Sequence, residues 1–280
     1  MLTKTQYLLV TSPTCYSHTL PNQQRYIIMA KANIKSTNAK TMAQQADRHH
    51  LYQQSVQCPE AEIDFVEEQF ELIRDRKAKV LREDFCGTAY TACEWIKRDK
   101  NNLAFGIDLD GEVLDWGREH NVGKLTKEQQ SRISLMKANV LDAETPPVDA
   151  VLAMNFSYWI LLNRENVQNY FNRVYEVLAD DGLFFLDCYG GYEAPKEIKE
   201  KRKLKDFTYI WHQADFDPLS SEMKCHIHFK FPDKSQMKKA FSYHWRLWTI
   251  PEIREMLDEA GFRKLSVHWE QADDETGEGN

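Results

Sequence analysis

Several things are missing from this 280-residue sequence, and each absence narrows the reading. No apolar run approaches the ~20 residues that a membrane-spanning helix needs, so no membrane partner is expected. No C-x-x-C pair occurs, which removes the usual zinc-knuckle and redox-dithiol signatures. The six cysteines (Cys15, Cys58, Cys86, Cys93, Cys188, Cys225) fall mostly in predicted strands and helices. They read as reduced, buried thiols of a cytoplasmic protein. The first 46 residues contain no acid, only Lys4, Arg25, Lys31, Lys35 and Lys40, so all 43 Asp and Glu lie beyond them. The body is therefore more acidic than the net charge of -7 suggests, and an acidic body repels nucleic acid. Residues 1–40 read as a disordered basic extension, with an organelle transit peptide as the alternative. Residues 270–280 read as an acidic polar tail. Between them, residues 41–269 are long enough for one domain with a sizeable core.

What the sequence does contain is most informative from Val80 to Asp110. The apolar pair Val80-Leu81 leads into Glu83-Asp84-Phe85-Cys86-Gly87-Thr88-Ala89. A helical stretch through Trp95-Ile96 follows, then the strand Leu103–Asp108. Strand, glycine turn, helix, strand and acid is the order that puts a small-residue turn against a nucleoside and an acid against ribose hydroxyls. Asp108 lies 21 residues after Gly87, close to the ~20 of that ribose contact. A dinucleotide site asks for three glycines and a helix amino end facing a pyrophosphate. Here one glycine is present, preceded by Glu83 and Asp84, which repel a pyrophosphate. The pair suits a ligand with an ammonium and a sulfonium and no phosphate, which describes S-adenosylmethionine (SAM).

The run Glu83–Ala89 resembles the first motif of class I SAM-dependent methyltransferases, and Gly106-Ile107-Asp108-Leu109 resembles their second. Phe85 and Ala89 stand where the family usually has glycine, which leaves room for a wider turn. Leu81–Ala89 and Asn155–Trp159 together resemble a bacterial small-molecule subgroup. The resemblance spans about Ala46 to Trp269. It implies an α/β fold, a doubly wound, mostly parallel Rossmann-like sheet. Apolar strands alternating with helices predict the same sheet, covered on both faces. The strands are Ile133–Met136, Val148–Met154 and Leu183–Asp187, with a helix from Arg164 to Leu178 stopped by Asp180-Asp181-Gly182.

After strand five the periodicity changes to two. Residues 207–216, 222–232 and 238–249 alternate in polarity between turn signals at Asp217-Pro218 and Pro232-Asp233. They predict an antiparallel three-strand insertion, a lid over about 205–249, through which a homodimer is an open alternative. The family also has a final antiparallel strand beside strand five. No segment after Trp269 supplies it, so either the chain is truncated or another segment fills the gap, and Gln6–Val10 is the spare candidate.

The resemblance assigns Glu83, Asp84, Phe85, Cys86, Gly87, Thr88 and Ala89 to the cofactor turn. It gives Asp108 the ribose and Leu109 an adenine face. Asn139 and Val140 meet the adenine edge, where Asn replaces the usual acid, and Asp142 is the alternative. Asn155 stands near the methionine moiety. Tyr52 and Gln57 resemble an amino-terminal cap over the cofactor. Tyr158 and Trp159 are candidate acceptor-site walls. Trp211, Tyr243, Trp245, Arg246 and Trp248 form an aromatic, partly charged lid, with a salt bridge from Arg246 to Asp215 or Glu252 as the alternative. His212 and His244 are candidate general bases. His226 and His228 share a strand face, but no Cys or carboxylate lies at ligand spacing, so no metal is expected.

The expected activity is SAM-dependent methyl transfer to a small-molecule amine, thiol or carboxylate. A protein or RNA methyltransferase, and a non-catalytic SAM- or nicotinamide-binding module, are the alternatives.

Overall fold

The computed structural model describes the backbone of 6–10 and residues 40–269 apart from 189 and 192, with the side chain of 269 also left out. The predicted basic extension and acidic tail otherwise lie outside the described residues. Seven strands form the main sheet: β1 (Gln6–Val10), β2 (Val80–Asp84), β3 (Leu103–Asp108), β4 (Ile133–Lys137), β5 (Val148–Ala153), β6 (Leu178–Asp187) and β11 (Leu265–Trp269). Their order is β11-β1-β6-β5-β2-β3-β4, and every neighbouring pair is parallel. Gln6–Val10 thus fills the position beside strand five, and it does so parallel to both neighbours.

Helices α3 (Pro59–Arg74), α4 (Tyr90–Arg98), α5 (Gly111–His120), the short α6 (Lys127–Gln130), α7 (Arg164–Val177) and α8 (Ile250–Glu259) belong to the sheet domain. Two apolar clusters make its core. One is built on Ile63, Phe70, Trp95 and Leu114, the other on Tyr170, Phe171, Phe184 and Phe262. Both are sealed because the β5 and β6 side chains are apolar on the two faces of the sheet, as a doubly covered parallel strand requires.

The stop signal Asp180-Asp181-Gly182 works differently from expectation. β6 already begins at Leu178, and the acids lie in a bulge between the pairs Val148–Leu178 and Ala150–Leu183. Arg76 holds that bulge, donating to Asp181 at 2.7 and 2.8 Å and to Asp149 at 2.7 Å.

The second sheet has four strands where three were expected, in the order β10-β9-β8-β7. They are β7 (Ile198–Lys203), β8 (Thr208–Asp217), β9 (Glu222–Lys230) and β10 (Gln236–Arg246). β7, with the sequence IKEKRK, shows no alternating hydrophobicity. It is an edge strand, and charge on an edge blocks further strand addition. Helices α1 (Met42–Gln45) and α2 (Arg48–Ser55) pack on the inner face of this sheet. Leu51, Tyr52 and Val56 meet Tyr209, Ile227 and Phe229 there. The Arg202 guanidinium donates to the Ser55 carbonyl, and Asp233 accepts the Met42 N–H at 2.9 Å. The amino-terminal helices and the second sheet therefore form one lid with its own small core.

Among the described residues no helix is long and apolar enough to cross a membrane. Cys86, Cys93, Cys188 and Cys225 are free and buried. Cys58 departs from the expected set of thiols, because it is disulfide-bonded. Such pairing depends on tertiary proximity, which cysteine spacing alone does not carry.

Candidate active site

The turn after β2 keeps the backbone of a glycine-rich loop without the glycines. Phe85, Gly87 and Ala89 have φ of 55°, 53° and 54°, all in the left-handed region. For a non-glycine residue this costs on the order of 1–3 kcal/mol, so the surroundings must hold it. Asp108 Oδ2 accepts the Gly87 N–H at 2.8 Å, and Glu83 Oε2 accepts the Ala92 N–H at 2.9 Å in the first turn of α4. Gln53 donates to the Thr88 hydroxyl at 2.7 Å, and Asn121 donates to the Thr88 carbonyl at 2.9 Å. The expected widening of the loop is replaced by three left-handed residues fixed from both sides.

Asp108 also accepts the Asp110 N–H at 2.9 Å, so each oxygen of its carboxylate holds one backbone group and keeps a lone pair. Beyond it, Leu109 is 63% exposed, although it lines a cavity of about 400 Å³ with Ala138, Asn139, Val140 and Leu141. An exposed leucine on a cavity wall suits the face of a planar ring better than it suits a core. The Asn139 carbonyl accepts the Leu141 N–H at 3.1 Å, leaving one lone pair for a further donor.

Asp84 is placed otherwise than expected. It lies at the edge of the cleft, but its carboxylate takes the Arg82 Nε–H at 2.7 Å and the Tyr170 hydroxyl at 3.0 Å. Arg82 is fully buried and also donates to the carbonyls of Val140 at 2.9 Å through Nη2 and Ala143 at 3.2 Å through Nη1. Asp84 thereby anchors the arginine that holds the segment after β4 in place.

Three cavities run together in the cleft between sheet and lid. The first, of about 400 Å³, is the one beside Leu109. A second, of about 550 Å³, borders the turn residues Glu83–Thr88 with Gln57 and Met154. A third, of about 200 Å³, lies under the lid. Tyr52, Asn155 and Tyr243 line all three. The two tyrosine hydroxyls share a hydrogen bond, and burial raises both above the ordinary phenol range. Tyr243 stacks on Trp245, with centroids 4.4 Å apart. The third cavity is walled by Phe156, Tyr209, Trp211 and Trp245, and its charged lining residues are Glu193 and Glu200.

Buried acids lie in and behind the cleft: Glu83 and Asp108 line the second cavity together with Arg48 and Lys239, whereas Glu62 and Asp187 line none of the three. Burial, followed by nearby acids, raises Glu83 well above the carboxylate range; Glu62 is raised chiefly by burial. Burial raises Asp108 as well, and it pushes Asp187 up to about 7. Buried carboxylates that repel one another favour a cationic occupant. Gln57 Oε1 is buried without a partner on a residue that lines the second cavity, and it adds an acceptor. The donor set thus fits a ligand with ribose, adenine, ammonium and sulfonium groups.

The remaining candidates are placed elsewhere. Tyr158 and Trp159 are fully buried and line none of the three cavities, because the chain turns them into the core beside Phe171 and Trp245. Arg246 pairs with Glu252 at 3.1 Å and stacks on the buried Trp248 at 3.8 Å. Neither Arg246 nor Trp248 lines any of the three cavities. His212 and His244 alternate with Trp211, Tyr243 and Trp245 along their strands, so they occupy the outer face of the lid. His244 meets Glu222 there at 2.7 Å. His212 clusters with His226 and His228. Among the described residues no group of three or more His, Cys, Asp and Glu is placed to hold a metal ion.

Sequence reasoning missed Arg82, Asp187, Glu193, Glu200 and the pair Arg48 and His49, which line the second cavity. Only Arg82 carried a signal, as a charged residue inside an apolar strand.

The fold and this cleft define a class: the architecture is that of the class I, Rossmann-like SAM-dependent methyltransferases. No family model matches the chain. A Geobacillus sp. (strain WCH70) protein named "Putative methyltransferase GWCH70_2453" is 24% identical over 208 residues, 72% of this chain and 81% of that protein. A SAM-dependent methyltransferase from Clostridium acetobutylicum ATCC 824 superposes with a TM-score of 0.58 at 15% identity, covering 76% of this chain and 85% of that one. SAM-bound CalS10, an amino pentose methyltransferase from Micromonospora echinaspora, superposes with a TM-score of 0.61 at 13% identity, covering 88% and 97%. Both of these solved structures are described as SAM-dependent or SAM-bound methyltransferases.

Proposed function

We propose that the protein methylates an amine nitrogen of a small metabolite, with SAM as donor. One observation carries this reading. The compartment beside the cofactor cavities is walled by aromatic rings, and its described charged lining residues, Glu193 and Glu200, are both acidic. Ring faces and carboxylates attract an ammonium group, whereas a carboxylate acceptor would meet like charge. CalS10 acts on an amino sugar, and its likeness in fold agrees with such an acceptor.

Bound SAM would supply an electrophilic methyl group on its sulfonium sulfur, which needs no assistance to depart as a neutral thioether. The protein then has to orient and enclose. Asp108 holds the ribose, Leu109 and Val140 flank the adenine, and Glu83 with Gln57 faces the amino-acid end. Asn155 and the Tyr52–Tyr243 hydroxyl pair stand where the compartments meet and fix the approach of the acceptor. Alignment of this kind contributes on the order of 7–11 kcal/mol to a bimolecular reaction. Glu193 and Glu200, both exposed at the rim, draw in the protonated amine, which loses its proton to solvent before transfer.

Two measurements test the reading. In a thermal-shift screen, SAM and S-adenosylhomocysteine at 100 times their dissociation constants should stabilise by about 2.7 kcal/mol, and NAD and NADP should not. Incubation of labelled SAM with a cell metabolite extract should then label an amine. Stabilisation by NAD alone, or label confined to protein or RNA, would refute it.

A further inference from the structure

After β5 the chain takes two consecutive left-handed residues, Asn155 (φ 58°) and Phe156 (φ 57°). Neither is glycine, so the turn persists only where its surroundings impose it. One side chain imposes it. Asp187, at the end of β6, accepts the Asn155 N–H through Oδ2 and the Phe156 N–H through Oδ1, both at 2.8 Å. The residue is 3% exposed, so water does not compete for either bond. The Ser157 hydroxyl closes the turn by donating to the Met154 carbonyl at 2.8 Å.

The turn decides where two side chains stand. Asn155 reaches the junction of all three cavities, and Phe156 becomes a wall of the acceptor compartment. We propose that Asp187 is a positioning residue for methyl transfer: by clamping the Asn155–Phe156 turn it fixes Asn155 between the cofactor and acceptor compartments. This rests on the reading of the cleft given above. Burial raises the Asp187 carboxyl, and two N–H donors oppose that rise by favouring the ionised form that can accept both.

Asp187→Asn tests the clamp with little change in volume. An amide offers one acceptor oxygen and one donor nitrogen, so one of the two turn N–H groups is left facing another donor. Hydrogen exchange of the peptide covering residues 150–161 should be slow in the wild type and rise about tenfold in Asp187→Asn, the factor for loss of one buried hydrogen bond. Titration calorimetry with S-adenosylhomocysteine should show Asp187→Asn and Asn155→Ala weakened to a similar extent. The double variant should be no weaker than either single one, because both act through one side chain. A purely structural Asp187 would give additive losses. Additivity, or unchanged exchange in the variant, overturns the proposal. So does fast exchange of these amides in the wild type, a measurement that stands whether or not a variant folds. A wild type that binds no S-adenosylhomocysteine would instead overturn the cofactor assignment, while the exchange data still judge the clamp.

Discussion

Gly117 lies against the carbonyl of Thr88 so closely that a Cβ at this position would come within 2.5 Å of the oxygen. Helix α5 can therefore approach the cofactor turn only because residue 117 has no side chain. Gly117→Ala should push the helix and turn apart. Overpacking of this kind costs typically 1–3 kcal/mol, and the displaced turn should weaken SAM binding about tenfold. Calorimetry on the folded variant checks this; wild-type affinity would show that the turn yields without cost.

Asp108 and Asp110 should separate cleanly. Asp108→Ala removes the proposed acceptor for ribose and the partner of two backbone N–H groups, and charge-assisted bonds are worth about 1.5–3 kcal/mol. SAM affinity should fall roughly ten- to 150-fold. Asp110 caps α5, accepting the Glu112 N–H at 2.9 Å, so Asp110→Ala should cost about 1 kcal/mol of stability with much less effect on SAM. Equal losses of affinity would contradict the division of roles.

Arg246→Lys keeps the charge but loses the planar stack on Trp248 and the fork geometry toward Glu252. The melting temperature should drop by a few degrees, while the acceptor KM and SAM affinity stay unchanged. A raised KM would return Arg246 to the acceptor site.

The buried acids link cofactor binding to pH. Asp187 is raised from 3.8 to about 7, so the folded protein holds its proton more tightly than the unfolded chain does. Its contribution therefore favours folding at low pH and declines as pH rises from about 4 to 7. A cationic cofactor would favour the ionised form of the raised acids that line the second cavity, Glu83 and Asp108. SAM affinity should therefore rise with pH above the ordinary carboxylate range, with protons released on binding. Calorimetry near pH 6 in two buffers of different ionisation enthalpy measures that release, and identical heats would dismiss the coupling.

The doubly wound sheet was readable because each of its strands from β2 to β6 carries an apolar run between helical periods, and Asp108 announced itself by its distance from Gly87. β7 was not readable, since a strand that is charged nearly throughout has no period-two signal. Nor was Asp187 as a clamp: its significance lies in the dihedral angles of residues 155 and 156, 32 and 31 positions away. Phe85 and Ala89 are instructive in the same way. The residue types suggested an altered loop, yet bonds at the neighbouring positions, from the Gly87 N–H to Asp108 and from Asn121 to the Thr88 carbonyl, hold the turn in which both are left-handed. Tyr158, Trp159 and Arg246 looked like site residues by type, but their burial and pairing are tertiary properties.

The placement of β1 has a consequence for how the chain reaches its native state. Gln6 pairs with Leu265, and Leu8 pairs with Leu186, so β1 must wait for residues synthesised long after it. Pairing over such separation carries a large loop-closure entropy and slows folding. Until it occurs, β6 and β11 each present an unsatisfied parallel edge that can recruit a second chain. Deleting residues 1–10 should leave the cofactor turn intact, since it is built from β2 and β3, yet make the protein prone to edge-to-edge association. Light scattering beside a SAM titration would show the two properties come apart.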